Sequence, residues 1–168
     1  TRHNLGPRGN ITLVEKAVGD HDGHVSFYLE DLSGQNNSMI PQYPGLTSSF
    51  ESAARSASVR EVTVELVTLD SHIAATGQRP DFLKIDVEGG ELAVLRGAPA
   101  LLARRPAPWI IFESNEPGAR ADLARLLQEH AYRLYALPFT AEPRVPPLSA
   151  ADFVACQETN FIALPPET

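Results

Sequence analysis

The chain has 168 residues, 43% hydrophobic and 21% charged, a composition that suits one compact domain with a real core. Its formal net charge of −7 gives no long-range attraction for phosphate backbones, so nucleic acid is not an expected partner and a small or neutral substrate is. Cys156 is the single cysteine, which excludes an internal disulfide and a thiolate zinc cluster, and no apolar run nears the roughly 20 residues that cross a bilayer. The expected setting is cytoplasmic, without a membrane partner. Because the sequence opens on Thr1 and runs almost at once into a strand-like segment, residues 1–168 are expected to form a single domain that is incomplete at its N-terminal side.

Ile11 to Val14 is a β-branched run, and after the Gly19-Asp20 turn signal Val25, Phe27 and Leu29 alternate, so two strands are expected there. From Asp31 to Phe50 the chain is rich in Ser, Gly, Asn and Pro, which predicts a long loop able to cover a ligand. Val62, Val64 and Leu66 predict a strand, followed by a short helix capped by Asp70 or Ser71 and stopped near Gly77. Phe82, Leu83, Ile85 and Val87 form a buried-type strand that runs into a glycine pair and a helix with Leu92 and Leu95 inward, interrupted at Pro99. Trp109 to Phe112 reads as a strand covered on both faces, with Trp109 in the core. Leu123, Leu126, Leu127 and His130 keep helical spacing, and Arg133–Leu137 and Phe161–Leu164 read as two final strands. Strands alternating with helices predict an α/β fold with a mainly parallel sheet, whose ligands gather at strand carboxyl ends. That rule selects the turns after Val18, Ile85 and Phe112, all of them acidic.

Asp86 and Glu88 stand two apart at a strand end, and their side chains share a face if the strand continues through Val87. Two neighbouring carboxylates repel, which raises one pKa and yields a candidate base for a hydroxyl proton; Glu113 from the next strand is positioned to join them. Each has a plainer reading. Glu88 equally suits capping of the following helix, and Gly89-Gly90 more simply make a tight turn than a ligand cradle. Asp20, in VGDHDG, is as consistent with turn chemistry as with a ligand contact. His21, His24 and His72 match no zinc spacing, so no metal site is expected from them.

At KIDVEGGELAVLRGA followed by WIIFESN the chain resembles the FkbM family of methyltransferases, with NITLVEKAVGDHDGHVSFY, NNSMI and VELVTLDSHI in the same order upstream. The resemblance runs from Asn10 to Glu116. It implies a class I methyltransferase sheet, Rossmann-like and mostly parallel with flanking helices, and S-adenosylmethionine as the cofactor. It also implies transfer to an oxygen, on a sugar or natural-product hydroxyl. By the resemblance, Asp20 lies at the adenine edge of the cofactor, Asn37 and Ser38 lie in a loop over it, and Asp86 and Glu88 face the reacting centre. The family's first strand with its glycine-rich turn, and its second strand with a ribose-binding acid, have no counterpart here. This stretch alone is therefore expected to bind S-adenosylmethionine weakly or not at all, and to close the gap between its strands or leave unpaired edges. Two other classes remain open: a carboxylate–Mg²⁺ hydrolase or phosphoryl-transfer enzyme using Asp86, Glu88 and Glu113, and a noncatalytic interaction module.

Overall fold

The computed structural model describes residues 10–30, 37–39, 59–115, 117–137 and 147–166. Two sheets carry the architecture. The first has the order β1-β3-β2, built from β1 (Ala17–Val18), β2 (Gly23–Glu30) and β3 (Val59–Val67). Alternation in β2 and β3 sets the register: Val25 opposes Val64 and Phe27 opposes Val62, which puts their apolar side chains on one face. The expected strand at Ile11–Val14 is not one; strand pairing begins at Ala17, parallel to β3. Most of the predicted loop, residues 31–36 and 40–50, lies outside the described residues.

The second sheet has the order β4-β5-β7-β6, with β4 (Phe82–Ile85), β5 (Trp109–Glu113), β6 (Arg133–Ala136) and β7 (Asn160–Leu164). Only β1 on β3 and β4 on β5 pair in parallel; β2 on β3, β7 on β5 and β6 on β7 are antiparallel. The sheets are thus mixed, and the expectation of a mostly parallel sheet does not hold among the described residues. The physical reason is that β7 enters between β5 and β6 against their direction, while β2 folds back on β3. Among the described residues β4 pairs with β5 alone, so one of its edges and the edge of β1 close no gap.

Among the described residues five helices connect these strands. Helix α1 (Leu69–Thr76) is capped by Thr68, whose side chain accepts from Ser71 N at 3.1 Å, and stops at Gly77 in the left-handed region (φ 69°). Asp70 does not cap its own helix as predicted. Its carboxylate accepts from Ala100 N (2.7 Å) and Leu101 N (3.0 Å), the amides that α3 (Pro99–Ala103) leaves open after the proline at its first position. Helix α2 (Glu91–Arg96) precedes that break. Helices α4 (Pro117–Glu129) and α5 (Ala150–Ala155) cover the second sheet, and α5 was not legible from spacing.

The core lies between that sheet and these helices. Phe112, Phe153 and Phe161 meet there, with Phe153 edge-on to Phe161 at 4.7 Å and Phe112 stacked on Phe161 at 5.7 Å. Trp109 is not core: it is 52% exposed, beside the equally exposed Phe82 opposite it in register. Arg120, only 2% exposed, crosses the cluster. Its Nη atoms donate to the carbonyls of Ser114, Phe153, Cys156 and Glu158, and its guanidinium sits 5.0 Å from the Phe161 ring centre. Gly97, at the C-cap of α2, passes so close to the turn after β1 that a Cβ there would stand 2.0 Å from the Gly19 carbonyl oxygen.

Two stability measurements follow from this packing. Arg120→Met is expected to cost about 3 kcal/mol in urea denaturation, because four buried carbonyls lose a charged donor. Arg125→Met, which removes an exposed pair with Asp122, is expected to cost about 0.5 kcal/mol or less. Gly97→Ala is expected to destabilise by about 1–3 kcal/mol, since the obstructing atom is backbone and cannot swing aside. Gly118→Ala, in open space, should be neutral or gain about 0.5 kcal/mol.

Candidate active site

Between the two sheets runs a cleft of about 210 Å³. One wall is Lys16, Ala17, Val18 and Phe27 of the first sheet; the other is Asp86 and Val87, just past the end of β4; Asn37 and Met39 close it. Asp86 arrives there because β4 stops at Ile85 and hands the chain to a tight turn at the strand's carboxyl end. Its carboxylate accepts from Lys84 Nζ at 2.8 Å, the neighbour two residues back on the same face. At the first wall, Lys16 Nζ reaches Glu65 at 2.6 Å.

The strand does not continue through Val87. Glu88 takes a left-handed backbone (φ 49°) and Gly89 a φ of 93°, so Asp86 and Glu88 do not share a face by strand alternation. The carboxylates that interact across this turn are Glu88 and Glu91. Glu91, the first residue of α2, is buried and accepts from Gly89 N at 3.3 Å; burial pushes its pKa up, against the hydrogen bonds from the turn's amides and with the Glu88 charge adding to the rise. Glu88 contributes its carbonyl oxygen, which accepts from Ser38 Oγ at 3.0 Å.

The other candidates stand apart from the cleft. Glu113 ends β5 one step beyond the Ile85–Phe112 register pair, half-buried, accepting from Asn115 Nδ2 at 3.0 Å. Asp20 is exposed in the turn after β1, where a 2.7 Å hydrogen bond with His21 Nδ1 holds its carboxyl below the usual range. Its neighbour Asp22 accepts from Thr68 N and Ser71 Oγ, which ties the start of β2 to α1. Among the described residues no group of three His, Cys, Asp or Glu side chains is placed to hold a metal ion, so the convergence of Asp86, Glu88 and Glu113 on Mg²⁺ is not found. Nor is any helix among them long and apolar enough to cross a membrane.

A family model, the methyltransferase FkbM domain, matches residues 5–134. The chain belongs to the FkbM methyltransferase family. That span takes in both walls of the cleft and all of α1 to α4, and ends within β6, well past the stretch over which the sequence motifs alone carry the likeness. No curated protein and no solved structure matches the chain.

For a methyltransferase, the cleft is the place where the FkbM motif and the upstream NNSMI segment meet, since it gathers Asp86 and Val87 with Asn37 and Met39. Lys16, Phe27 and Glu91 escaped sequence reasoning. Phe27 is one member of an alternating strand and carries no mark that separates a cleft residue from a core residue. Glu91 did leave a signal: an acid at the first helical position, directly after a glycine pair, with another acid three residues before it.

The pKa of Glu91 makes a test with a definite sign. Its folded value lies above the ordinary 4.5, so the protonated form contributes stability that is complete below that value and is lost as pH rises through the raised one. Glu91→Gln keeps an acceptor for Gly89 N–H without a charge. It is expected to melt above the native protein at pH 7, with the gap closing as the pH falls below 4.5.

Proposed function

We propose that this chain supplies the cleft of an S-adenosylmethionine-dependent O-methyltransferase acting on the hydroxyl group of a small molecule or sugar, with the reacting centre between the sheets. The observation that carries the reading is the convergence, in an FkbM-family chain, of Asn37 and Asp86 on one cleft from distant parts of the sequence.

The residues present fit such a cofactor. Asp86 supplies a carboxylate for a sulfonium or for ligand hydroxyls, Asn37 supplies an amide able to donate and accept, and the Phe27 ring with Met39 supplies an apolar surface for a flat base. When bound, S-adenosylmethionine supplies an electrophilic methyl group. The work left to the chain is to hold an acceptor oxygen in line, keep water from the reacting atoms and accept one proton. Asp86 is the carboxylate placed at the cleft for that proton, and the Lys84 ammonium at 2.8 Å fixes its orientation. Glu113, on the adjoining strand, is the nearest reserve in register.

Calorimetric titration of S-adenosylmethionine and of its demethylated product into the full-length protein tests the reading. Saturable binding is expected, weakened about tenfold or more by Asp86→Asn, equivalent to about 1.4 kcal/mol or more. Absence of binding to the native protein overturns the cofactor assignment. Native affinity in Asp86→Asn, with unchanged turnover, removes Asp86 from the site.

A further inference from the structure

Ser38 departs from what its position in a loop over a ligand suggests. It is 1% exposed, and its hydroxyl donates to the Glu88 carbonyl oxygen rather than opening into the cleft. Its backbone is fixed as well: Tyr28 N donates to Ser38 O at 2.9 Å and Ser38 N to Tyr28 O at 3.2 Å, so the segment is laid against β2 of the first sheet. Glu88 belongs to the turn beyond the other wall. This Oγ–O bond therefore ties the segment that closes the cleft to the turn that follows the Asp86–Val87 wall.

The turn that receives this bond needs outside support. Left-handed backbone at a residue with a Cβ persists only where its surroundings hold it, and Glu88 is followed by a second positive φ at Gly89. Support comes from two sides. Below, the Glu91 carboxylate takes the Gly89 N–H at 3.3 Å. Above, Ser38 takes the Glu88 carbonyl, and Met39 packs so closely on Gly90 that a Cβ there would lie 3.4 Å from its Cε and 3.3 Å from Val87 Cγ2. Asn37 and Asp86, two of the polar residues that line the cleft, adjoin this clamp in sequence, Asn37 next to Ser38 and Asp86 two residues before Glu88.

We propose that Ser38 is a positioning residue: its hydroxyl locks the Asn37–Met39 segment to the Glu88 turn and so sets the separation at which Asn37 and Asp86 address one ligand. The role in binding rests on the cofactor reading above, whereas the clamp itself does not.

The test is a double-mutant cycle in the full-length protein, read by calorimetry with S-adenosylmethionine. Ser38→Ala is expected to weaken binding about fivefold, and to add little or nothing when Asn37 is already alanine, because a clamp that acts through Asn37 has nothing left to position. Affinity losses that multiply, or native affinity in Ser38→Ala, overturn the proposal; a residue that only stabilises the fold gives one of those two results. Gly90→Ala presses on the same contact from the opposite side and is expected to weaken binding comparably, which keeps the proposal testable if Ser38→Ala does not fold. If the native protein binds no S-adenosylmethionine, the cofactor reading fails and the clamp is judged by amide hydrogen exchange. The Gly90 amide, bonded to Val87 O at 3.4 Å, should then exchange faster in whichever of the two variants folds, with Leu123 and Phe161 unchanged. Unaltered exchange at Gly90 overturns the clamp as well.

Discussion

Arg120 puts a full positive charge inside the apolar core, and most of the second sheet is arranged around the need to satisfy it. Its partners are carbonyls rather than a carboxylate: Ser114 just past β5, Phe153 and Cys156 at α5, and Glu158 before β7. Those four groups come from every segment that meets at the carboxyl end of β5. A buried cation with no anion is costly unless its donors are used, so the bonds fix where each of those segments can lie. The faces of Phe153 and Phe161 complete the shell. β7 follows directly from the Glu158 carbonyl so held, and it enters the sheet between β5 and β6, antiparallel to both.

The candidate site depends on that order at one remove. β5 fixes β4 by parallel pairing, and the place where β4 ends fixes the Asp86–Gly90 turn. The first sheet is held to this frame by few contacts of high specificity. Asp22 binds the start of α1, Asp70 crosses from α1 to the head of α3, and the Gly97 carbonyl accepts from Asp70 N at 3.1 Å where Gly19 passes close by. Asp22, Asp70 and Glu91 thus serve helix ends or turns, and among the described acids it is Asp86 that lines the cleft.

How much of this was legible in the sequence follows from the range of each interaction. Alternation located β2 and β3, and Gly77 and Pro99 marked their helix boundaries, because those signals act within a few residues. Ile11–Val14 misled because β-branched composition is only half of a strand; a partner is the other half, and β3 offers one only from Ala17. Trp109 misled because an apolar run fixes neither face, and the start of β5 faces solvent. The FkbM motif gave the family. What no local pattern held was the left-handed Glu88, since the sequence at that point reads as strand followed by a glycine pair. The turn with this positive φ is bonded by Ser38 on one side and Glu91 on the other, and Ser38 is fifty residues away.

The exposure of Trp109 has a practical meaning for anyone studying the protein in solution. It is the single tryptophan of the chain, it is 52% exposed, and it sits at the start of β5, at the end of the sheet opposite the Asp86 turn. Four residues of strand separate the two ends, roughly 13 Å of rise. An indole already half in water has only part of its spectral shift left to undergo when the chain unfolds, and one at the far end of the strand receives no direct report from the cleft. The intrinsic fluorophore is optically blind to the events of most interest, and a tryptophan introduced at Phe27 would put the signal where the ligand is expected.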